Sequence, residues 1–359
     1  MLQPLLGQEA KIRKTLVDEL AKLKPSGHLY LPTNPDTRVL GIDVDSAAPM
    51  KSHAKVPVLV NFYVRNEIYE DMAGNESDDT IELDLEAVKR SEDVKTQACI
   101  FKVGDDVRQD MLAIQFIEFC KNVFDDQHLD VFLFPYNVIA THPNEGIIEV
   151  VPNSQSRDQL GKKSDGDLFH WFKTKYGAPN TPSYQRARDC FVRSMAAYSV
   201  VSYILQVKDR HNGNILVDEE GHLIHIDFGF LFDISPGGDL KFERSPFKLT
   251  QEMVNIMGGD TSTEQFQWLM QLSTQCFLCL RENQHEILTL VELMLGTRFT
   301  CFKPHTMQNL RARFRGELDV REACNFFTRD VILASWSSKS QFTTKMYDLF
   351  QAFQNSIDY

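Results

Sequence analysis

Apolar positions along the 359-residue chain follow two rhythms, short runs of strand character before Pro152 and helical spacing after it. Residues Glu9 to Lys24 read as a helix that Pro25 and Gly27 stop. Two strand-like runs follow, HLYLPT and TRVLGIDV. Then SAAPMKSHAKVP sets small and basic residues between Asp45 and Pro57, ahead of the β-branched, aromatic run VPVLVNFYV. That is a strand, a polar turn and a strand. TQACIFKVGDDVRQD predicts a strand reaching Lys102 and then a helix on which Val107, Met111, Ile114 and Ile117 recur at steps of four, three and three. DVFLFPYNVIATH and GIIEVVP have strand character. The helical period appears in SRDQLGKKSDGDLFHWFKTKYG, returns from Ser183 to Val207 and dominates the remainder. Its one clear interruption is DRHNGNILVDEEGHLIHIDFG, Asp209 to Gly229, where ILVD and HLIHID flank the turn Glu219, Glu220, Gly221 as a hairpin.

The pattern predicts an α+β chain in three parts: a lead-in helix over 1–25, a small β-rich lobe over 26–151 and a larger, mainly helical lobe over 152–359. A cleft between such lobes is where a ligand is expected. With 43% hydrophobic and 25% charged residues the chain can bury a full core. No run approaches the roughly eighteen apolar residues of a membrane span. MLQPLLGQEAKIRKTLVDEL carries charges where a signal peptide needs its apolar stretch, so the expectation is a cytoplasmic protein, peripheral at most. Seven scattered cysteines fit reduced thiols, and Cys276 and Cys279, a lone C-x-x-C without a second ligand pair, read as core positions. The net charge of −12 argues against nucleic-acid binding. Most of it lies between Asn66 and Asp93, where eleven acidic and two basic residues give −9 and leave −3 for everything else. This stretch reads as a solvated insertion between strands.

The chemistry concentrates on the hairpin. If NILVD pairs with HLIHID, Asn214 at the start of one strand lies close to Asp227 at the end of the other. An amide oxygen and a carboxylate then converge as hard ligands of the kind Mg²⁺ accepts. Asp209 precedes Asn214 by five residues, the D-x-x-x-x-N interval of a kinase catalytic loop, and Asp227-Phe228-Gly229 is the expected D-F-G. Two features depart from protein kinases: Asp209, Arg210, His211 invert the usual H-R-D, and no G-x-G-x-x-G precedes them.

D-R-H-N-x-N and H-I-D-F-G, with F-K-x-G-D-D-x-R-Q-D at Phe101 to Asp110, resemble the phosphoinositide 3- and 4-kinase superfamily. SMAAYSVVSYILQVKDRHNGNILVDEEGHLIHIDFGFLF and S-P-G-G at Ser235 to Gly238 bring the resemblance nearest to type III phosphatidylinositol 4-kinases. SRDQLG at Ser156 and REACNFF at Arg321 tilt it toward the alpha type. It covers roughly Ser26 to Tyr359. It implies a bilobal protein-kinase-like fold, ATP and Mg²⁺ as cofactors with Mn²⁺ as an alternative, and transfer to the 4-hydroxyl of phosphatidylinositol.

By the same resemblance, Lys102 binds the ATP phosphates, Asp105 and Asp110 either cap and brace the following helix or contact the nucleotide directly, and Ser52 and Lys55 belong to the turn over the phosphates. Glu149 to Val151 form the adenine hinge, Ile148, Leu216 and Ile226 sandwich the ring, and Tyr136 lines the back of the pocket. Asn214 and Asp227 hold the metal. His211 is the favoured base with Asp209 orienting or assisting, and Arg210 completes the catalytic triplet as a brace. Asp227 to Thr250 resembles the activation loop. Its Lys241, Arg244 and Lys248 suit a headgroup with one phosphodiester better than a multiply phosphorylated one.

Met346, Leu349, Phe350, Phe353 and Ile357 make an amphipathic C-terminal face that either lies on the bilayer or packs on the second lobe. Relatives of this type carry the kinase at the end of a much longer chain. Set against that pattern, a helical domain preceding the kinase, the sequence reads either as an excised or incomplete product or as a short form; the resemblance implies protein scaffolds for the full-length family member and residence on the cytosolic face of membranes, the plasma membrane first. Two alternatives stand beside the lipid kinase. A related large Ser/Thr protein kinase is disfavoured by N-G-N and S-P-G-G, and a silent interaction module by the presence of Lys102, His211, Asn214 and Asp227 together.

Overall fold

The computed structural model of the chain describes residues 3–23, 28–50, 56–66, 88, 90–91, 93–163, 167–232, 234–235, 245–297, 299–337, 340–341 and 343–348. The chain divides into two compact units, Met1–Met111 with Tyr136–Pro152, and Leu112–Pro135 with Asn153–Tyr359.

In the first unit, helix α1 (Gln3–Leu20) leads into strands β1 (Tyr30–Leu31), β2 (Asn34–Pro49), β3 (Val58–Asn66) and β4 (Lys95–Val103). Helix α2 (Arg108–Asp126) then intervenes before β5 (Val138–His142) and β6 (Glu145–Glu149). The strands form one antiparallel sheet in the order β1-β2-β3-β4-β6-β5. Leu31, Val39, Val64 and Cys99 make its buried cluster, with Phe62, Phe101 and Ile147 packed against it. Strand β2 runs further than its sequence suggests. Ser46 to Pro49, expected as the start of a turn, continue the pairing as Ala48 with Leu59 and Pro49 with Val58, past an irregularity after Asp43. The Ser46 hydroxyl spans that irregularity, donating to the Asp43 carbonyl at 2.6 Å and accepting from the Asn61 N–H at 3.2 Å. Backbone groups released by the bulge are thereby satisfied, which lets the strand go on. Gly146 on β6 faces the entry to α2, where a Cβ would stand 2.2 Å from Val107 Cγ2. Only glycine allows that approach.

Residues 130–137, which look strand-like in sequence and straddle the two units, form no strand; in the second unit they lie beside the helix α5 (Pro182–Leu205). Their backbone turns to helix α5 instead: Phe132 N–H donates to the Arg193 carbonyl at 3.4 Å and Phe134 N–H to Tyr198 Oη at 3.2 Å. The short polar run β7 (Ser154–Ser156) is a strand that sequence pattern did not anticipate. The helical stretch after it is two helices, α3 (Arg157–Lys163) and α4 (Leu168–Tyr176), the latter capped by the Asp167 carboxylate accepting from Phe169 N–H at 2.9 Å. Helix α5 (Pro182–Leu205) starts on a Thr181 cap with Pro182 in its first turn, and every residue from Ser194 to Leu205 is buried. Such a helix is apolar all round and forms the axis of its unit. Its serines return their hydroxyls to the helix, Ser194 to the Cys190 carbonyl at 2.9 Å and Ser199 to that of Ala196 at 2.7 Å.

Strands β8 (Ile215–Asp218) and β9 (Leu223–His225) form the expected hairpin, and β7 completes a three-stranded sheet in the order β7-β8-β9. The turn is held by Asp218, whose Oδ1 accepts from the N–H groups of Glu220, Gly221 and His222 at 3.0, 2.8 and 2.8 Å. Gly221 has φ +101°, and a Cβ there would lie 2.6 Å from the Ala187 carbonyl of α5. Helices α6 (Gln251–Ile256), α7 (Glu264–Glu282), α8 (Gln284–Met294), α9 (Thr306–Arg313) and α10 (Val320–Phe326) follow, the last running into a wider π turn at Phe327–Leu333. Cys276 and Cys279 are buried on α7, as a core reading requires.

Candidate active site

The segment from α5 to the D-F-G triplet is closed at both ends by backbone pairing. At the helix end, Lys208 N–H donates to the Phe230 carbonyl at 3.0 Å and Phe232 N–H to that of Leu205 at 2.7 Å. At the hairpin end, Ile226 N–H donates to the Asn214 carbonyl at 3.2 Å, which brings Asn214 beside the chain leading into Asp227. Asn214 itself lies in a short 3₁₀ turn, Asn212–Asn214, rather than in the strand.

Arg210 occupies the middle and is 2% exposed. Its guanidinium donates to the carbonyls of Lys208 at 3.0 Å, Asn214 at 3.3 Å, Ile226 at 2.7 Å and also Asp227, with the buried Phe228 ring 5.5 Å away. A planar fork with five donors satisfies this many acceptors where a lysine would not. Arg210 is therefore a staple joining the loop to the D-F-G segment.

Around this staple the polar groups converge. Asp209 and Asp227 both adopt left-handed backbone, φ +63° and +59°, a region aspartate enters more readily than most residues. Asn214 is 6% exposed and its Nδ2 donates to the Asp209 carbonyl at 3.0 Å. Its amide oxygen is thus the end that remains to accept, and Asp227 is exposed. Two hard oxygens of this kind fit a small divalent cation such as Mg²⁺. His211 caps the 3₁₀ turn, Nδ1 accepting from Gly213 N–H at 3.1 Å, while its Nε2 stands 4.0 Å from Asp209 Oδ2. Burial lowers the His211 pKa below its usual 6.5; Asp209 and Asp227 oppose that, and Arg210 and Lys248 add to it. The net shift favours the neutral imidazole.

Lys248, expected as a headgroup cation, is placed differently. It is 7% exposed, and its ammonium goes to Asn212 Oδ1 at 3.2 Å and Asp348 Oδ1 at 2.7 Å. A buried ammonium needs such a counter-charge, so the lysine braces the loop from behind. Ser52, Lys55, Lys241 and Arg244 lie outside the described residues, as do most of the acidic stretch and Leu349, Phe350, Phe353 and Ile357. Sequence spacing missed Tyr347, whose phenol donates to Asp209 Oδ1.

The first unit holds most of the other candidates, on its sheet or beside it. Lys102 is half-buried near the end of β4, opposite Gly146 on β6. Ile148 and Glu149 end β6; the Glu149 carboxylate accepts from Asn137 N–H at 2.8 Å and Asn137 Nδ2 at 2.9 Å. Tyr136 and Val151 are buried, and Leu216 and Ile226 in the second unit are half-buried. Asp110 is buried in the first turn of α2, and Asp106, not Asp105, pairs with Arg108 at that helix start.

Away from the loop, the described residues contain one cluster with metal-ligand types, Cys190, Glu220 and His222. His222 is already committed, its Nδ1 lying 2.9 Å from Asp218 Oδ2. No described helix is long and apolar enough to cross a membrane.

A β-rich unit with a lysine on β4, and a helical unit carrying a stapled D-R-H-N-G-N loop beside D-F-G, define an α+β chain of the kinase-like class. The profile described as "Phosphatidylinositol 3- and 4-kinase" matches residues 96–303, and the chain belongs to that family. It is 44% identical over all of its length to phosphatidylinositol 4-kinase stt4 of Schizosaccharomyces pombe, of which it covers 19%. With phosphatidylinositol 4-kinase STT4 of Saccharomyces cerevisiae it shares 43% identity, covering 18% of that protein, and with phosphatidylinositol 4-kinase alpha 1 of Arabidopsis thaliana 41%, covering 17%. The chain thus spans about a fifth of the length of these relatives.

Proposed function

We propose that the chain is a lipid kinase domain that transfers the γ-phosphoryl group of ATP to the 4-hydroxyl of phosphatidylinositol, giving phosphatidylinositol 4-phosphate. The observation that carries this is the stapled loop: Arg210 locks Asp209, His211 and Asn214 to the segment bearing Asp227. Relatives named phosphatidylinositol 4-kinase along the whole chain support the choice of lipid and position.

Phosphoryl transfer asks for positioning and charge neutralisation more than for covalent chemistry. Asn214 and Asp227 are the residues that would hold Mg²⁺, or Mn²⁺, and the bound ion supplies neutralisation of phosphate charge. For ATP, Lys102 is the proposed phosphate-binding cation, with Tyr136, Ile148, Glu149, Val151, Leu216 and Ile226 as the proposed adenine contacts and the turn with Ser52 and Lys55 proposed for the phosphates. With Nδ1 accepting from Gly213, neutral His211 carries its proton on Nε2, facing Asp209. To take the inositol hydroxyl proton, the ring must move off Gly213 and present a bare nitrogen, with Asp209 stabilising the imidazolium that forms. Lys241 and Arg244 are the cations proposed for the headgroup. Action on a membrane lipid makes the protein peripheral on a cytosolic membrane face, the plasma membrane foremost, with protein scaffolds as the proposed partners.

The test incubates the purified chain with ATP, Mg²⁺ and vesicles carrying each of several phosphoinositides, and identifies the position phosphorylated. Phosphatidylinositol 4-phosphate is expected, falling at least about a hundredfold in His211→Ala and Asp227→Ala. Folded variants with undiminished transfer would remove these roles, and a product phosphorylated elsewhere on the ring would remove the 4-position.

A further inference from the structure

Asp209 holds a left-handed backbone conformation, φ +63°, which aspartate tolerates better than most residues and which its surroundings here hold in place. Two bonds do so. Asn214 Nδ2 takes its carbonyl at 3.0 Å, and the Tyr347 phenol, 138 residues further along the chain, takes its carboxylate Oδ1. The other oxygen, Oδ2, is the one that faces His211 Nε2 at 4.0 Å. The two oxygens of one carboxylate are thus divided between a tyrosine that fixes the group and a histidine that uses it.

The neighbouring residue repeats the connection by a separate route. Asp348 Oδ1 accepts from Lys248 Nζ at 2.7 Å, and the same ammonium donates to Asn212 Oδ1 at 3.2 Å. The side chains of Lys248 and Asp348 are 4% and 13% exposed, so this link is shielded from water and salt. Tyr347 is 3% exposed. Consecutive residues near the C-terminus therefore reach Asp209 and Asn212, on either side of His211. A buried tyrosine needs some acceptor for its hydroxyl. What distinguishes this one is that its acceptor is a carboxylate inside the loop.

We propose that Tyr347 is a positioning residue for Asp209, and that helical residues 343–348 latch the catalytic loop through Tyr347 and through the Asp348–Lys248–Asn212 chain. The proposal rests on the phosphoryl-transfer reading above. Tyr347 acts by keeping one Asp209 oxygen occupied so that the other stays toward His211. Phenylalanine at this position preserves the ring and its packing and removes only the hydroxyl.

Two measurements on the full chain test it. In steady-state lipid phosphorylation, Tyr347→Phe is expected to lower kcat about tenfold with KM for ATP within about twofold, the signature of a loss felt after ground-state binding. In an Asp209→Asn background the same change should add nothing further, because the group it positions has been neutralised. Equal losses in both backgrounds would make Tyr347 merely structural and overturn the idea. In amide hydrogen exchange, peptides covering residues 207–214 should exchange faster in Tyr347→Phe and in Asp348→Asn while the α5 core stays protected; unchanged loop exchange in both overturns the latch. Should the unmodified chain phosphorylate no phosphoinositide, the lipid-kinase reading falls, and the exchange comparison still decides the latch.

Discussion

His222 lies under the Phe132 ring at a centroid distance of 3.8 Å, with its Nδ1 2.9 Å from Asp218 Oδ2. Burial alone would depress its pKa, yet the Asp218 carboxylate and the Cys190 thiol outweigh that and hold it up to about 9. A protonated imidazole at neutral pH donates to its partners and leaves no lone pair for a metal. The linkage has a definite sign: a histidine whose folded pKa is raised above the unfolded value near 6.5 adds stability that is full below that value and fades as pH climbs through about 9. His222→Asn should therefore be destabilised most at pH 6, with the deficit narrowing toward pH 9.5 when urea midpoints are compared. A deficit constant across that range would mean that packing on Phe132, not charge, is what the imidazole provides.

Between elements, a second ion pair is better hidden. Arg157, first residue of α3, meets Glu252 of α6 in a forked contact at 2.8 and 2.6 Å, and the same carboxylate accepts from Leu168 N–H at the start of α4 at 3.0 Å. Three helix starts depend on one glutamate. Glu252→Ala takes the forked carboxylate away from an arginine that is 2% exposed, and removal of one partner from a buried pair costs about 3–5 kcal/mol. Equilibrium denaturation should show a loss of that size, whereas a shift under about 1 kcal/mol would mean that water reaches the guanidinium. At this scale the physical limits of sequence reading are also visible. The hairpin was legible because ILVD and HLIH are apolar runs on either side of an acidic turn. Strand β7 was not, because Ser154–Ser156 has no apolar signal and exists through its pairing with β8. Residues 130–137 misled in the opposite sense, since α5 claims the bonds their composition suggested for a sheet. In the candidate site, Asp209 to Asn214 and Asp227 could be picked out because they are close in sequence. Tyr347 could not, since no local spacing links it to a residue 138 positions earlier.

Over the whole molecule, charge is distributed unevenly. The −9 carried between Asn66 and Asp93 accounts for most of the net −12. If the substrate sits in an anionic bilayer, that excess works against approach at long range, and more so at low salt. Replacing residues 67–87 by a neutral Gly/Ser segment of equal length should raise sedimentation with phosphatidylserine-containing vesicles at low ionic strength. The gain should shrink as salt is added; a salt-independent gain would point to steric rather than electrostatic exclusion. The thiols are as unevenly placed as the charges. Cys99, Cys120, Cys276, Cys279 and Cys301 are buried and only Cys190 and Cys324 are partly open to solvent. Burial also raises the pKa of Cys120 and Cys276, so thiolate, the reactive form, is scarce there as well. A thiol reagent added to the native protein therefore meets two sites, and the remaining five become a clock that runs only when the chain opens.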